Sequence, residues 1–371
     1  MIDKQVLHTP EGVRDIYGLE YKRKLTIQKQ IRQSISSFGY EAIQTPTFEF
    51  FDVFSKEVGT TPFKDLYKLI DKDGNTLVLR PDFTPSVARC AAKYFMNADK
   101  PLRLTYEGNT FVNTNHLQGK LKETTQMGAE LILDDSVEAD AELLAMVVDA
   151  LRATGLQKFQ ISVGHMDYFK GLCEEAGLTP EAEKSLRKAI SGKNMFAARD
   201  LLDTLEIKDK AKTALLEVAD LFGCMQDLSH AKSLTDNPRS VTAIERLEQL
   251  KSILECYDIA QYVSFDLGML SQYHYYTGIV FKAFTYGIGD AIVKGGRYDH
   301  LLEFFGKKAP AVGFMIIVDD ILEALDHQKI PVPVEESPKT ITYTKENFAE
   351  ALKKATSLRK SGKAVVLTKE I

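Results

Sequence analysis

Residues 106–130, YEGNTFVNTNHLQGKLKETTQMGAE, have the pattern of a strand, a long polar loop and a returning strand. Such a hairpin can hold a cation at the end of its first strand, in a place suited to the phosphate of a nucleotide. The residue at that end is Val112, which carries no charge. The stretch therefore resembles half of an enzyme site, but it lacks the positive charge expected at the position that would contact the phosphate.

The composition predicts a globular protein with a sizeable core. The chain has 371 residues, of which 44% are hydrophobic and 27% are charged, and its length favours two domains. The net charge is -5, whereas proteins that mainly grip nucleic acids usually carry a basic excess. Binding of tRNA or DNA as a main task is therefore disfavoured.

The cysteines are widely spaced and include no CxxC pair: Cys90, Cys173, Cys224 and Cys256. Neither a zinc site nor a disulfide framework is expected from this spacing. The first residues lack the apolar stretch of a signal peptide, and no apolar run reaches the roughly 18 residues of a membrane span. We expect a cytoplasmic protein with no metal, cofactor or membrane partner.

The elements that would position a site predict an α+β fold. Ile27, Ile31 and Ile35 recur at helical spacing within residues 19–38, and residues 84–94 form a second helical pattern. An Asp-Gly-Asn turn between alternating residues predicts a hairpin over residues 66–82. Antiparallel strands interleaved with helices favour α+β over a regular βαβ series.

Two changes of pattern divide the chain. Strand alternation disappears from about residue 167 to about 257, where amphipathic helical stretches predict a helical insertion. A Pro/Glu/Ser linker then precedes a short strand–helix–strand tail. We expect one main unit over residues 1–330 and a linker with a partial domain over residues 331–371.

The order of these segments resembles the histidyl-tRNA synthetases, a family of class II aminoacyl-tRNA synthetases. Five stretches carry the resemblance: FGYEAIQTPTFE, LRPDFTPSVAR, the hairpin described above, YYTGIVFKAF, and GGRYDHL with PAVGFMI. Each is weak alone, but their shared order and spacing are specific. The resemblance implies an antiparallel sheet flanked by helices, with a helical insertion and a β-α-β tail that covers only the start of the family's anticodon-binding domain.

The resemblance also implies a histidine pocket. It places Asp82 and Thr84 at the ligand's α-amino group, and Tyr275 and Tyr276 at its imidazole. Two further residues, Gln126 and Glu130, are implied to lie beside the ligand. These groups suit the ligand, because an ammonium favours a carboxylate, and a carboxylate and a phenol can satisfy the two imidazole nitrogens.

The same resemblance shows which groups of the family are missing. Arginines that hold ATP in the synthetases are replaced here by Val112, Ser271 and Asp320. Val and Ser cannot reproduce the bidentate guanidinium, and an aspartate reverses the charge. The resemblance therefore implies that ATP chemistry is lost, and that the ligand's α-carboxylate has lost its usual arginine at position 271.

A synthetase fold with a histidine pocket but no ATP site resembles the regulatory subunits of ATP phosphoribosyltransferase. That resemblance implies a non-catalytic chain that activates a short-form catalytic subunit and mediates histidine feedback in the first step of histidine biosynthesis. It also implies L-histidine as ligand and a dimer within a hetero-octamer. Three alternatives stay open here: an active histidyl-tRNA synthetase, a pseudo-synthetase that senses amino acids or tRNA, and a scaffold whose pocket is a relic.

Overall fold

The computed structural model describes residues 7–54, 61–113, 121–223, 225–270, 275–334 and 337–370, with the backbone alone at 225–227. The described strands are β1 Glu41–Ala42, β2 Phe48–Phe50, β3 Lys68–Ile70, β4 Thr76–Leu79, β5 Leu102–Phe111, β6 Glu123–Ile132, β7 Phe159–His165, β8 Phe222–Gly223, β9 Val263–Asp266, β10 Ile279–Thr285, β11 Val293–Arg297, β12 Ala311–Ile317, β13 Lys339–Tyr343 and β14 Val365–Lys369.

Along the chain, the helices of the described residues come before and between these strands. They are α1 Gly18–Ser37, α2 Thr84–Tyr94, α3 Val137–Ala153, α4 Met166–Glu175, α5 Pro180–Ser191, α6 Met195–Asp203, α7 Asp209–Glu217, α8 Met225–Ser233, α9 Pro238–Cys256, α10 Val318–His327 and α11 Phe348–Lys360. Helices α4 to α9 fall in the segment where a helical insertion was predicted, although the division of the chain into domains stays a prediction.

A nine-stranded sheet forms the centre, in the order β1-β5-β6-β12-β11-β10-β7-β9-β8. Its middle pairs are antiparallel, as predicted, but β1 pairs with β5 and β7 with β9 in parallel. Parallel neighbours require a crossover connection, which α2 and the long helical segment provide. The sheet is therefore mixed rather than purely antiparallel.

Local patterns account for the helices that cover this sheet. The isoleucines Ile27, Ile31 and Ile35 are fully buried on one face of α1, as expected from their i, i+4 spacing. Helix α3 begins after Ser136, whose Oγ accepts a hydrogen bond from the backbone N–H of Ala139 at 3.1 Å. Such a cap satisfies one of the unpaired N–H groups at the start of a helix.

Two smaller sheets complete the fold. Strands β2, β4 and β3 form a three-stranded antiparallel sheet, which contains the predicted hairpin with its turn at residues 71–75. Strands β13 and β14 pair in parallel around α11, matching the predicted strand–helix–strand tail. In the described part of the chain, no helix is long and apolar enough to cross a membrane.

Candidate functional site

A cavity of about 310 Å³ lies over the middle of the central sheet. The register places Glu130 of β6 beside Gly313 of β12, and Gly313 beside Gly296 of β11. A Cβ atom on Gly313 would lie 1.6 Å from Glu130 Oε2, and one on Gly296 would lie 2.6 Å from Tyr276 Cε1. The glycines are therefore required, because the space above them holds the carboxyl and phenol groups of the site.

Glu130 is the most enclosed polar residue of the site, with a relative exposure of 0%. Thr84 Oγ1 donates a hydrogen bond to its Oε1 at 2.8 Å, and the Tyr298 hydroxyl donates to its Oε2. Burial raises the pKa of Glu130 to about 8, and the bonds from Tyr298 and Thr84 offset part of this rise. The carboxyl group is therefore mainly protonated at neutral pH when the cavity is empty.

Asp82 and Thr84 stand where α2 begins. The backbone N–H of Thr84 donates to Asp82 Oδ1 at 3.2 Å, and both side chains line the cavity. Helix starts favour negative charge, because their N–H groups are unpaired and the helix dipole is positive there. The Asp82 carboxylate thus faces the cavity as a natural counter-charge for a cation.

Gln126 contributes a buried amide to the same wall. It is 7% exposed and lines the cavity. Its Oε1 has no hydrogen-bond partner among the residues that the structure describes. A buried polar atom left without a partner costs about 1–3 kcal/mol, so this oxygen is well placed to accept a hydrogen bond from a ligand.

Three tyrosines close the opposite wall. The rings of Tyr275 and Tyr276 lie 4.6 Å apart, and Tyr275 meets Tyr298 edge to face at 5.9 Å. All three line the cavity and are almost fully buried. Because each phenol has an apolar ring and a polar hydroxyl, they form a wall suited to a flat ligand with polar edges.

The structure thus brings the six predicted binding residues to one place. Asp82, Thr84, Gln126, Tyr275 and Tyr276 line the cavity, and Glu130 lies directly behind Thr84 and Tyr298. Their role as histidine ligands stays a prediction.

The positions of the missing arginines differ in their surroundings. Val112 lines the cavity and its backbone N–H donates to Lys122 O at 2.9 Å, while Ser271 lies outside the described residues. Asp320 is in the first turn of α10 and does not line the cavity. Burial raises its pKa to about 6, with further increases from Asp290 and other nearby carboxylates.

No arginine occurs among the described residues that line the cavity. The nearby Arg80 is buried and donates to the backbone oxygens of Thr45 at 2.9 Å and Asn109 at 2.8 Å. Its guanidinium also stacks on Phe83 at 4.0 Å. Arg80 therefore links the segments around Thr45, Phe83 and Asn109, and few of its N–H groups are left to bind a phosphate.

Sequence reasoning missed several residues that line the cavity, among them Asp65, Lys294 and Tyr298. Lys294 lies near the start and Tyr298 at the end of the segment VKGGRY around β11, and both line the cavity. Alternation along a strand places residues 294, 296 and 298 on one face, so the pattern contained the signal. Without the pairing of β11 to β12, however, the sequence does not show which face of the strand meets the cavity.

A second cavity, of about 880 Å³, lies between β10, β11 and the helical segment. It shares Tyr276 and Lys294 with the first cavity, and its walls include Lys282, Asp266 and Asp290. Across the described residues, no group of three or more His, Cys, Asp or Glu side chains could hold a metal ion.

Comparison with known proteins first defines the class. The profile of the histidyl-tRNA synthetase family matches residues 12–321. The histidyl-tRNA synthetase of Nostoc sp. PCC 7120 superimposes with a TM-score of 0.82 at 21% identity, over 98% of this chain and 86% of that chain. The fold is therefore that of the class II histidyl-tRNA synthetases, as predicted.

Proteins with a higher sequence identity to this chain show which family within this class it belongs to. An ATP phosphoribosyltransferase regulatory subunit from Acetivibrio thermocellus is 40% identical over 97% of this chain and 86% of its own length. One from Ruminiclostridium cellulolyticum is 38% identical over 98% and 88%. The crystal structure of an ATP phosphoribosyltransferase regulatory subunit/histidyl-tRNA synthetase from Bacillus halodurans C has a TM-score of 0.90 at 33% identity, covering 98% and 92%. The chain belongs to the family of ATP phosphoribosyltransferase regulatory subunits, which confirms the predicted resemblance.

Proposed function

We propose that this chain activates a short-form ATP phosphoribosyltransferase catalytic subunit and mediates histidine feedback on it. The observation that carries the proposal is the first cavity: it keeps the polar groups for an amino acid, while no arginine occurs among its described lining residues. Family membership supports a regulatory rather than a catalytic role. The reaction would be the first step of histidine biosynthesis.

L-Histidine is the proposed ligand. Its ammonium would meet the Asp82 carboxylate, the Thr84 hydroxyl and the unpartnered Oε1 of Gln126. Its imidazole would lie against Tyr276 and replace the Tyr298 hydroxyl on Glu130 Oε2. Amino acids without a polar ring would leave these buried groups unpaired, and such losses discriminate strongly between ligands.

Aminoacylation is not expected from this chain. Activation of an amino acid by ATP relies on cations that stabilise the phosphates in the transition state. Losing one such group commonly costs about 10²–10³ in rate, and Val112 offers no charge where the family has an arginine. Histidine-dependent exchange of pyrophosphate into ATP, measured with the purified chain, would contradict this part of the proposal.

The proposed assembly is a cytoplasmic hetero-octamer built from dimers of this chain and catalytic subunits. A role in tRNA binding is not proposed, since the net charge is -5 and affinity for nucleic acid derives mainly from phosphate neutralisation. Feedback requires histidine to bind one conformation of the complex better than another. A typical coupling free energy of about 1–3 kcal/mol would suffice.

The decisive experiment measures turnover of the short-form catalytic subunit from the same organism. It is assayed alone, with this chain, and with this chain plus L-histidine. Strong activation that histidine reverses is the expected result. No activation of a correctly folded partner would overturn the proposal.

A matched pair of variants connects this result to the cavity. Glu130→Gln removes the buried carboxyl group and should reduce the sensitivity to histidine while activation persists. Glu303→Gln makes the same chemical change at an exposed position outside the cavity and should leave the sensitivity unchanged. If both variants kept full sensitivity, the histidine site would have to lie elsewhere.

A further inference from the structure

The charges around the first cavity are unbalanced for an amino acid. Asp65 and Asp82 line it as carboxylates, and both suit the ligand's ammonium. The ligand's α-carboxylate needs a cation, but the arginine that serves it in the synthetase family is replaced by Ser271. Among the described lining residues, Lys294 is the one cationic side chain.

Lys294 is positioned on the cavity floor by the sheet. Its neighbours across the strands are Met315 of β12 and Lys282 of β10. Lys294 lies two strands away from Glu130 and is offset from it by two residues along the strand direction. With ordinary strand spacing and rise, their Cα atoms are roughly 12 Å apart. A ligand of amino-acid size fits between the ends of two such side chains.

The ammonium of Lys294 is only loosely held. Its Nζ lies 3.5 Å from Asp290 Oδ2, and a quarter of its side chain is exposed. Direct N–H···O hydrogen bonds are usually 2.7–3.2 Å long, so this ion pair is not tight. The long, flexible stem of a lysine can therefore turn its ammonium towards a ligand without breaking a strong contact.

We propose that Lys294 binds the α-carboxylate of the histidine ligand, replacing the missing arginine by a cation from a different strand. This inference rests on the proposed function, because it names a determinant of the same ligand. It makes the cavity selective for amino acids over the corresponding amines. Ammonium and imidazole recognition would remain with Asp82, Thr84 and Glu130.

Calorimetric titration of the full chain with L-histidine and with histamine tests this inference. Histamine keeps the ammonium and the imidazole but lacks the carboxylate. The wild-type chain should bind L-histidine about ten- to a hundredfold more tightly than histamine, the usual size of a charged hydrogen bond. Lys294→Met should reduce this ratio to near one, by weakening histidine binding while histamine binding is unchanged.

Two further variants complete the test. Lys282→Met removes the neighbouring lysine, which lines the second cavity but not the first, and should keep the wild-type ratio. Lys294→Arg should restore most of the preference for histidine. Unchanged histamine binding in Lys294→Met also reports that this variant is folded.

The outcomes separate the two proposals. A wild-type preference that persists in Lys294→Met would overturn the role of Lys294 and leave the proposed function intact. Equal binding of both ligands by the wild-type chain would do the same. If L-histidine bound neither the chain nor its complex with the catalytic subunit, the proposed function itself would be overturned, and the inference with it.

Discussion

Glu130 exchanges a proton with its surroundings near neutral pH, since burial raises its pKa to about 8. The imidazole of histidine has an ordinary pKa of about 6.5. At a pH between these two pKa values, Glu130 of the empty site is protonated and the imidazole of the free ligand is neutral. In the complex, Glu130 and the imidazole would share this one proton. Binding in this pH range therefore neither takes up nor releases a proton.

This gives a pH profile for histidine affinity. Affinity should be highest between about pH 6.5 and pH 8. It should fall by up to about tenfold per unit above pH 8, where the complex must take up a proton, and below pH 6.5, where it must release one. Titration calorimetry across pH 5.5–9 measures this profile.

The same titration of Glu130→Gln provides the control. This variant should show lower peak affinity and lose the decline that Glu130 causes above pH 8. An alkaline decline identical to that of the wild-type chain would contradict proton sharing at Glu130.

Gly313 allows a second substitution test. An added methyl group would lie 1.6 Å from Glu130 Oε2 and 2.8 Å from the backbone oxygen of Ala129. Gly313→Ala should therefore destabilise the fold by about 1–3 kcal/mol, as overpacking usually does, and displace Glu130 from its partners. Gly289→Ala is the matched control, because nothing lies within 4 Å of its added atom.

Thermal unfolding and histidine titration together check this prediction. The expected result is a lower melting temperature and weaker binding in Gly313→Ala alone. Wild-type binding by a stable Gly313→Ala variant would show that Glu130 is not held by the close fit at this glycine.

Asp140 joins three elements that surround the site. Its fully buried carboxylate accepts from Arg297 Nη2, at the end of β11, at 2.7 Å, and from Arg246 Nη2 of α9 at 2.6 Å. Since Asp140 belongs to α3, the carboxylate connects the helical segment to the strand that carries Lys294. Its contribution is positional: it keeps β11 in register with the helices that cover it.

Asp140→Asn should destabilise the chain by about 3–5 kcal/mol, because it removes the buried carboxylate that pairs with the buried Arg297 and the partly buried Arg246. It leaves Arg297 only the longer ion pair with Asp299, at 3.3 Å. Asp135→Asn is the control. The side chain of Asp135 is exposed, and its backbone oxygen, which accepts from Arg246 at 2.9 Å, is retained. Unfolding in urea measures both variants, and equal stabilities would contradict the role of the buried network.

The three-stranded sheet presents an apolar face to solvent. Register places Phe50 opposite Leu77, and Leu77 opposite Leu69, while Phe48 is 55% and Phe50 58% exposed. Strand β2 of this sheet begins within FGYEAIQTPTFE, one of the stretches that carry the resemblance to the synthetases. The face fits burial in the proposed dimer, since contiguous apolar patches on a soluble protein usually mark such contacts.

Phe50→Lys should therefore convert the proposed dimer to monomers by placing a charge in its apolar contact. Light scattering coupled to size-exclusion chromatography measures the mass. Phe196→Lys makes the same change at a side chain that is 83% exposed on α6 and should leave the mass unchanged. A dimeric Phe50→Lys chain would place the interface elsewhere.

Much of the fold followed from local patterns. The predicted helix at residues 84–94 is α2, and the tail has the predicted order of strand, helix and strand. Boundaries of this kind depend on spacing, caps and turns within a few residues, all of which are visible in the sequence. The parallel edges of the sheet were missed, because pairings such as β7 with β9 join segments about one hundred residues apart.

The candidate site divides in the same way. Its residues Asp82, Gln126 and Glu130 were found through linear motifs, and the substitution at Val112 was visible in the hairpin that contains it. Lys294 and Tyr298 became candidates only when β11 was paired with β12, because a strand has two equivalent faces until its neighbours select one. The raised pKa of Glu130 likewise depends on burial, which is a property of the packed chain: residue types set the available chemistry, and tertiary packing sets which groups meet and in what protonation state.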